Sequence, residues 1–458
     1  MVFSSNSFLF FFLPAILVFY FAVPSKYRNV ILLLGSLIFY GWGEPRLSVL
    51  MIIVILINYF SACAMKRFAR WEKEILILSI SLNLLILGGF KYSGFIIRNF
   101  NYILPGSYQL RIPDIALPIG ISFYTFQSMS YVIDVYRGDV PCQKNVLTFA
   151  TYVSMFPQLI AGPIVRYRDV EAALRRREVN YSDFASGVLL FLIGLSKKLL
   201  LANRMGEAWE ALRITDGSLS AWICMAAYTL QIYFDFSGYS DMALGLGRML
   251  GFQFPKNFDY PYISRSVTEF WRRWHITLGS WFREYVYIPL GGNRYGRKKQ
   301  IRNVLIVWLL TGLWHGASWN FILWGLYYAL LLILEKMFLL KFLDRLPKTI
   351  RILYVWLIVS FGWVLFSMPE FSELGAFLSR LIHFTENSIH EKNLILAYSP
   401  LMLLSVFCAT PLPKRLYHMT DGRQSQRCIQ IIGAVMLLLL CTSSLASRSY
   451  NPFIYFRF

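Results

Sequence analysis

An all-α polytopic membrane protein is the fold class this sequence predicts, and three observations predict it. Charged residues fill 15% of the 458 positions and apolar residues 57%, whereas soluble domains carry about 25% charge. Apolar runs of helical length recur along the whole chain. The 45 Lys and Arg fall in short stretches between those runs, not in one patch. The net charge of +20 therefore reads as membrane topology and not as nucleic-acid binding.

Residues 1–7 hold no Lys or Arg, and no small-residue cleavage pattern follows the apolar run 8–23, which reads as a retained first span and not a signal peptide. Runs 30–42, 47–64 and 75–90 continue an N-terminal group of spans over 8–110. Segments 117–135, 146–164, 184–201 and 221–250 mix Gly, Gln, Ser and Asp with aromatics. Such composition suits helices that face a protein interior or a cavity instead of lipid. Runs 352–366, 394–408 and 428–445 complete the C-terminal spans within 350–458. Several runs are short and need tilt or flanking residues to cross. With no internal repeat and no long hydrophilic linker, one membrane domain over 1–458 with a core at 117–337 is the simplest organisation.

Within that core, residues 303–334 contain no Asp, Glu, Lys or Arg, yet hold His315 near their middle. As one helix the run would extend about 48 Å, well past a hydrocarbon core of about 30 Å. The stretch Thr311-Gly312-Leu313-Trp314-His315-Gly316-Ala317-Ser318 is rich in glycine and hydroxyl residues, so two segments meeting at a break are expected there. An ionisable side chain at membrane depth usually faces a bundle interior and serves a purpose. The alternative is a neutral histidine bonded within the bundle.

Loop charges set the orientation. Residues 256–302 carry ten Lys or Arg against three acidic residues, and 341–351 and 414–427 each carry four against one. Residues 370–392 carry four Glu against Arg380 and Lys392. The basic loops are expected in the cytoplasm and the acidic one outside. Both flanks of 303–334 are then cytoplasmic, so that run enters and returns, and both chain termini lie on the extracytoplasmic side. The basic stretch 166–177 fits only if one segment between 75 and 164 is re-entrant.

The six cysteines are scattered with no close pair in sequence, so free thiols are expected and neither a metal knuckle nor a redox dithiol is indicated. In residues 264–297, Phe270, Trp271, Trp274, Trp281, Phe282 and Tyr285 alternate with Arg272, Arg273, Arg283 and Arg294. This suits amphipathic helices lying at a membrane interface. The arginines and His275 also suit an entrance for an anionic substrate, because guanidinium groups grip phosphates in a fixed fork. His275 and His315 stand forty positions apart, which is no metal-ligand spacing, and no metal is expected.

Residues 117–138 (LPIGISFYTFQSMSYVIDVYRG), 156–167 (FPQLIAGPIVRY), 231–252 (QIYFDFSGYSDMALGLGRMLGF), 270–294 (FWRRWHITLGSWFREYVYIPLGGNR) and 311–325 (TGLWHGASWNFILWG) together resemble the membrane-bound O-acyltransferase superfamily. Within it they are similar to the bacterial branch holding alginate O-acetyltransferase membrane subunits and the teichoic-acid D-alanyl transferase. The resemblance implies a ring of tilted helices around a thin centre with a tunnel, and it makes 117–337 the catalytic core. It implies that His315, in Trp-His-Gly, is catalytic, and that His275, in Arg-Trp-His, is a second functional histidine. Trp271, Arg272, Arg273, Trp274, Trp314 and Asn320 fall in the same motifs as candidates for the donor entrance and tunnel. Residues 453–458 fit Phe-x-Tyr-x-x-Phe, similar to the terminal motif of a small companion protein of teichoic-acid D-alanylation. Tyr455 is by that likeness an acyl-relay candidate, with an aromatic interfacial anchor as the alternative.

The expectation is a multi-pass enzyme of the bacterial cytoplasmic membrane with no bound cofactor. It would take acetyl from acetyl-coenzyme A inside and deliver it outward, through Tyr455 or a serine of an extracytoplasmic acetyltransferase- or hydrolase-like partner, to an exported polysaccharide. D-Alanyl transfer from a carrier-protein thioester is the alternative within the family. A polysaccharide or ion transporter is the alternative outside it, weakened because one broken segment is seen where transporters built from repeats show two.

Overall fold

The computed structural model describes every residue except 161, 420–423, 447–452 and 455–458, and the described residues form helices and turns without a strand. Among the described residues, five stretches are long and apolar enough to cross a membrane: Ser48–Arg67, Ala69–Ile103, Tyr181–Arg213, Trp319–Leu343 and Lys348–Ser367. Shorter apolar helices cover Phe8–Ala22 and Ile431–Ala446. Large apolar side chains such as Phe11, Phe19, Leu85, Leu330 and Leu439 stand exposed along them, as lipid-facing surfaces require. The chain is thus an all-α, multi-pass membrane protein.

It divides into two compact units. The first comprises 1–191 and 242–255 and contains α1 (Leu13–Ala22), α2 (Arg28–Gly41), α3 (Ser48–Arg67), α4 (Glu72–Ile103) and α5 (Ile121–Arg137). Phe3, Phe8, Phe12, Phe39 and Phe156 form one of its aromatic cores, with ring centroids 5.0 to 6.3 Å apart. Helices α3 and α4 are joined by a reciprocal amide pair. Asn58 Nδ2 donates to Asn83 Oδ1 at 2.9 Å, and Asn83 Nδ2 returns the bond to Asn58 Oδ1 at 3.0 Å. Polar pairs of this kind bind helices in a medium without water.

Helix α4 runs well beyond the expected 75–90. Lys91, Arg98 and Asn99 end the apolar run but do not break a helix. Helicity continues until Leu104, held extended at ψ 140 before Pro105, where proline excludes the helical backbone. Within the stretch up to 164 the chain also forms the short helices Val146–Ser154 and Phe156–Leu159. Nine residues reach only about 14 Å, under half the hydrocarbon core.

Two cysteines without a close partner in sequence meet in the fold. Cys63 Sγ, on α3, and Cys142 Sγ lie 3.7 Å apart as free thiols, a proximity that spacing in sequence does not indicate. Diamide is expected to join them, the thiols giving two protons and two electrons to the reagent. Peptide mapping should then recover 63 linked to 142, and Cys63→Ser should abolish the product. An unlinked pair after exhaustive oxidation would disprove the proximity.

The second unit comprises 192–241 and 256–458. Helix α6 (Tyr181–Ser196) leads into it through a π-helical turn, Lys197–Ala202, and α7 (Ser218–Met249) lies largely within it. Next come short helices α8 (Val267–Arg273) and α9 (Ile276–Phe282), then α10 (Gly296–His315), α11 (Trp319–Leu334), α12 (Lys348–Ser367), α13 (Ile389–Cys408) and α14 (Gln424–Ala446). With seven residues each, α8 and α9 are too short to span a membrane.

Helices α10 and α11 form the hairpin expected of 303–334. A Cβ on Gly312 would strike the Phe321 carbonyl oxygen, and one on Gly325 that of Trp308, so the two backbones pack in close contact. Glu335, just past α11, accepts from Val267 N at 2.6 Å and from Thr268 N and Oγ1 at 2.8 and 2.7 Å. It thereby caps α8. Both ends of the hairpin therefore return to the segment 264–297 from which α10 departs.

Candidate active site

Arg297, Lys298, Lys299 and Arg302 occupy the first turns of α10, and the charge-free part begins at Asn303. His315, about 18 Å further along the axis, is the last residue of the helix. Gly316 is extended at φ −173, and Ser318 precedes the next helix. The break thus falls at the histidine itself. That rise separates the imidazole from the basic end of the helix.

The His315 ring is 5% exposed and meets three aromatic rings nearly edge to face: Trp314 at 5.0 Å, Trp324 at 4.9 Å and Phe366 at 5.2 Å between centroids. Phe366 is held in place by Asn320, whose Nδ2 donates to the Phe366 carbonyl at 3.0 Å. Asn320 therefore ties the start of α11 to the end of α12 and fixes one wall of the box. Among the described residues, Trp271 Nε1, Trp324 Nε1, Tyr328 Oη and Asn320 Oδ1 are buried and make no hydrogen bond within the protein. Buried polar atoms are rarely left so, and Trp324, which carries one of them, packs on the His315 ring.

His275 is the residue before α9 and adopts a left-handed backbone at φ 46. Its Nδ1 lies 3.1 Å from Asn257 Oδ1, which also accepts from Thr277 N at 3.2 Å and Thr277 Oγ1 at 2.9 Å. An oxygen already accepting from a backbone N–H must accept from the imidazole too. The proton is therefore on Nδ1, and Nε2 carries the lone pair. Burial pushes the His275 pKa from 6.5 down to about 3. The neutral ring thus favours the folded protein above its ordinary pKa, and that contribution is lost as pH falls toward 3. His275→Gln is accordingly expected to leave the shape of the pH–rate profile unchanged between about pH 5 and 8. An ionisation that vanishes from this window in the variant would show His275 acting as a charged acid.

Trp314 brings the two histidines into one constellation, since its ring also lies 5.8 Å from that of His275. Phe236 of α7 closes on His275 from another side at 4.7 Å. Trp271 packs on Trp308 and Tyr328 at 4.8 Å each, and Trp274 on Trp363 at 4.7 Å. Both tryptophans thus belong to the aromatic packing beneath the box. The two arginines expected at a donor entrance differ in their surroundings. Arg273 is held by Glu269 at 2.9 Å and Asp259 at 3.6 Å, whereas Arg272 is exposed. Tyr455 lies outside the described residues, but Phe453 and Ile454 immediately before it are buried in this unit.

Sequence reasoning passed over Asn257, Phe236, Trp324, Phe366, Lys198 and Asp235. For the last two a signal existed: a lysine and an aspartate inside otherwise apolar helices mark a functional interior. No three His, Cys, Asp or Glu side chains among the described residues gather as a metal site would require.

The sequence profile of the membrane-bound O-acyltransferase (MBOAT) family matches residues 143–372, which include both histidines. A probable alginate O-acetylase, AlgI, of Azotobacter vinelandii is 38% identical over the whole of both chains. The peptidoglycan O-acetyltransferase of Helicobacter pylori is 31% identical over 100% of this chain and 98% of its own. The teichoic acid D-alanyltransferase of Bacillus subtilis is 29% identical over 55% of this chain and 69% of its own.

Proposed function

Because this chain belongs to the membrane-bound O-acyltransferase family, and is thus an acyltransferase, we propose that it carries acetyl groups from cytoplasmic acetyl-coenzyme A to an exported cell-surface polysaccharide. The observation that carries this reading is the helix that ends on His315 inside a buried aromatic box, in a chain with full-length relatives named alginate O-acetylase and peptidoglycan O-acetyltransferase. Relatives named D-alanyltransferases match only about half of the chain, which supports acetyl over D-alanyl.

In this reading the donor's phosphates meet exposed Arg272 and the exposed run 297–299 at the base of α10. His315 takes the proton of an acceptor hydroxyl as its oxygen bonds the acetyl carbonyl carbon. The carbon–sulfur bond breaks, the sulfur leaves with the electron pair, and the imidazolium returns the proton to it. Trp271 and Trp324 N–H groups and the Tyr328 hydroxyl are the donors at hand for charge developing on the carbonyl oxygen. The first acceptor is Tyr455 or a serine of an extracytoplasmic partner protein, which then modifies the polymer. The protein sits in the bacterial inner membrane with both termini outside.

Purified protein in detergent, incubated with radiolabelled acetyl-coenzyme A and mapped by peptide, tests this. Label on Tyr455 that is absent from Tyr455→Phe and His315→Ala fixes donor and relay. An intact donor beside label acquired from a D-alanyl-charged carrier protein would overturn the acetyl reading.

A further inference from the structure

Deep in the second unit, consecutive lysines of the π-helical turn reach two carboxylates of α7. Lys197 Nζ meets Asp241 Oδ2 at 2.6 Å, and Lys198 Nζ meets Asp235 Oδ1. A Cβ on Gly238, between those carboxylates, would come within 2.7 Å of the Gly194 carbonyl oxygen, so the helices approach closely enough for short bridges. The pairs differ in surroundings. Side chains of the Lys197 pair are 22 and 23% exposed, those of the Lys198 pair 2 and 3%.

A buried pair needs further hydrogen bonds to offset its desolvation, and here the chain's own far end supplies one. Ile454 N donates to Asp235 Oδ2 at 2.7 Å. The Lys198 ammonium also lies 4.5 Å from the centroid of the Phe453 ring, which stands edge to face with Tyr239 at 4.6 Å. One carboxylate thus engages the lysine through one oxygen and the tail backbone through the other. Next to Asp235, Phe236 is the ring that packs on His275.

We propose that Lys198 and Asp235 form a seat for the segment Phe453–Ile454, and that this seat positions the residue that follows, Tyr455, for acyl transfer. The recognition uses one backbone N–H, one aromatic face and a fixed ion pair. It reads the backbone at Ile454 and the aromatic ring of Phe453. The chemical consequence rests on the acetyl-relay reading above; the seat itself rests on geometry.

The test is hydrogen–deuterium exchange of the peptide covering 450–458 in the full-length protein, with α10 and α11 followed as the control for folding. Asp235→Ala is expected to speed exchange at Ile454 about tenfold to a hundredfold, the loss of one charge-assisted hydrogen bond. Phe453→Ala, which leaves the ion pair whole, should do the same if Asp235→Ala does not fold. Acetyl transfer should fall in kcat with the KM for acetyl-coenzyme A unchanged, and Asp235→Glu should recover part of the loss. Equal exchange at Ile454 in all forms, or faster exchange with kcat untouched, would overturn the proposal. Protection that depends on Asp235 in a protein that transfers no acetyl would keep the seat and remove the acetyl donor.

Discussion

His315→Gln is expected to reduce acyl transfer by about a hundredfold to ten-thousandfold, the range a positioned general base supplies. Gln is the informative substitution because it roughly fills the space between Trp314, Trp324 and Phe366, while it cannot take up a proton near neutral pH. His315→Ala adds a cavity inside the box and so mixes lost chemistry with lost packing. Transfer rates of the purified variants, taken with their thermal unfolding, separate the two. A His315→Gln protein that melts normally and works within threefold of wild type would remove His315 from the chemistry.

Lys198→Met should be the most destabilising single change in the second unit, by about 3–5 kcal/mol, because it strands the Asp235 carboxylate away from water. The Ile454 N–H still donates to that carboxylate, but one backbone dipole does not replace a full charge. Removing both charges together, Lys198→Met with Asp235→Leu, should restore more than half of the loss, since well-packed apolar pairs often match a buried ion pair. Thermal unfolding of the two single variants and the double variant measures this coupling. Additive losses would show that the two side chains do not depend on each other.

Much of the helical plan is legible in the sequence, because hydropathy reports directly what lipid demands. The break at His315 was readable for the same reason: a charge-free run twice flanked by basic residues has to turn back, and glycine and serine mark where. Helix α4 was under-read because Lys91 and Arg98 interrupt apolarity without interrupting helical geometry. The contacts that complete the site lie further from view. Asn257 orients His275 across a loop and a helix, and Lys198 meets Asp235 only because a π-helical turn and Gly238 bring two helices together. Cys63 and Cys142 are neighbours for a similar reason, since pairing across 79 positions leaves no local pattern.

The Asn58–Asn83 pair bears on how this chain is made. Until α3 and α4 meet, each carboxamide must enter hydrocarbon alone or wait at the surface, and the short link between the helices lets each satisfy the other at once. These two helices therefore leave the translocation machinery most favourably as a ready-made hairpin.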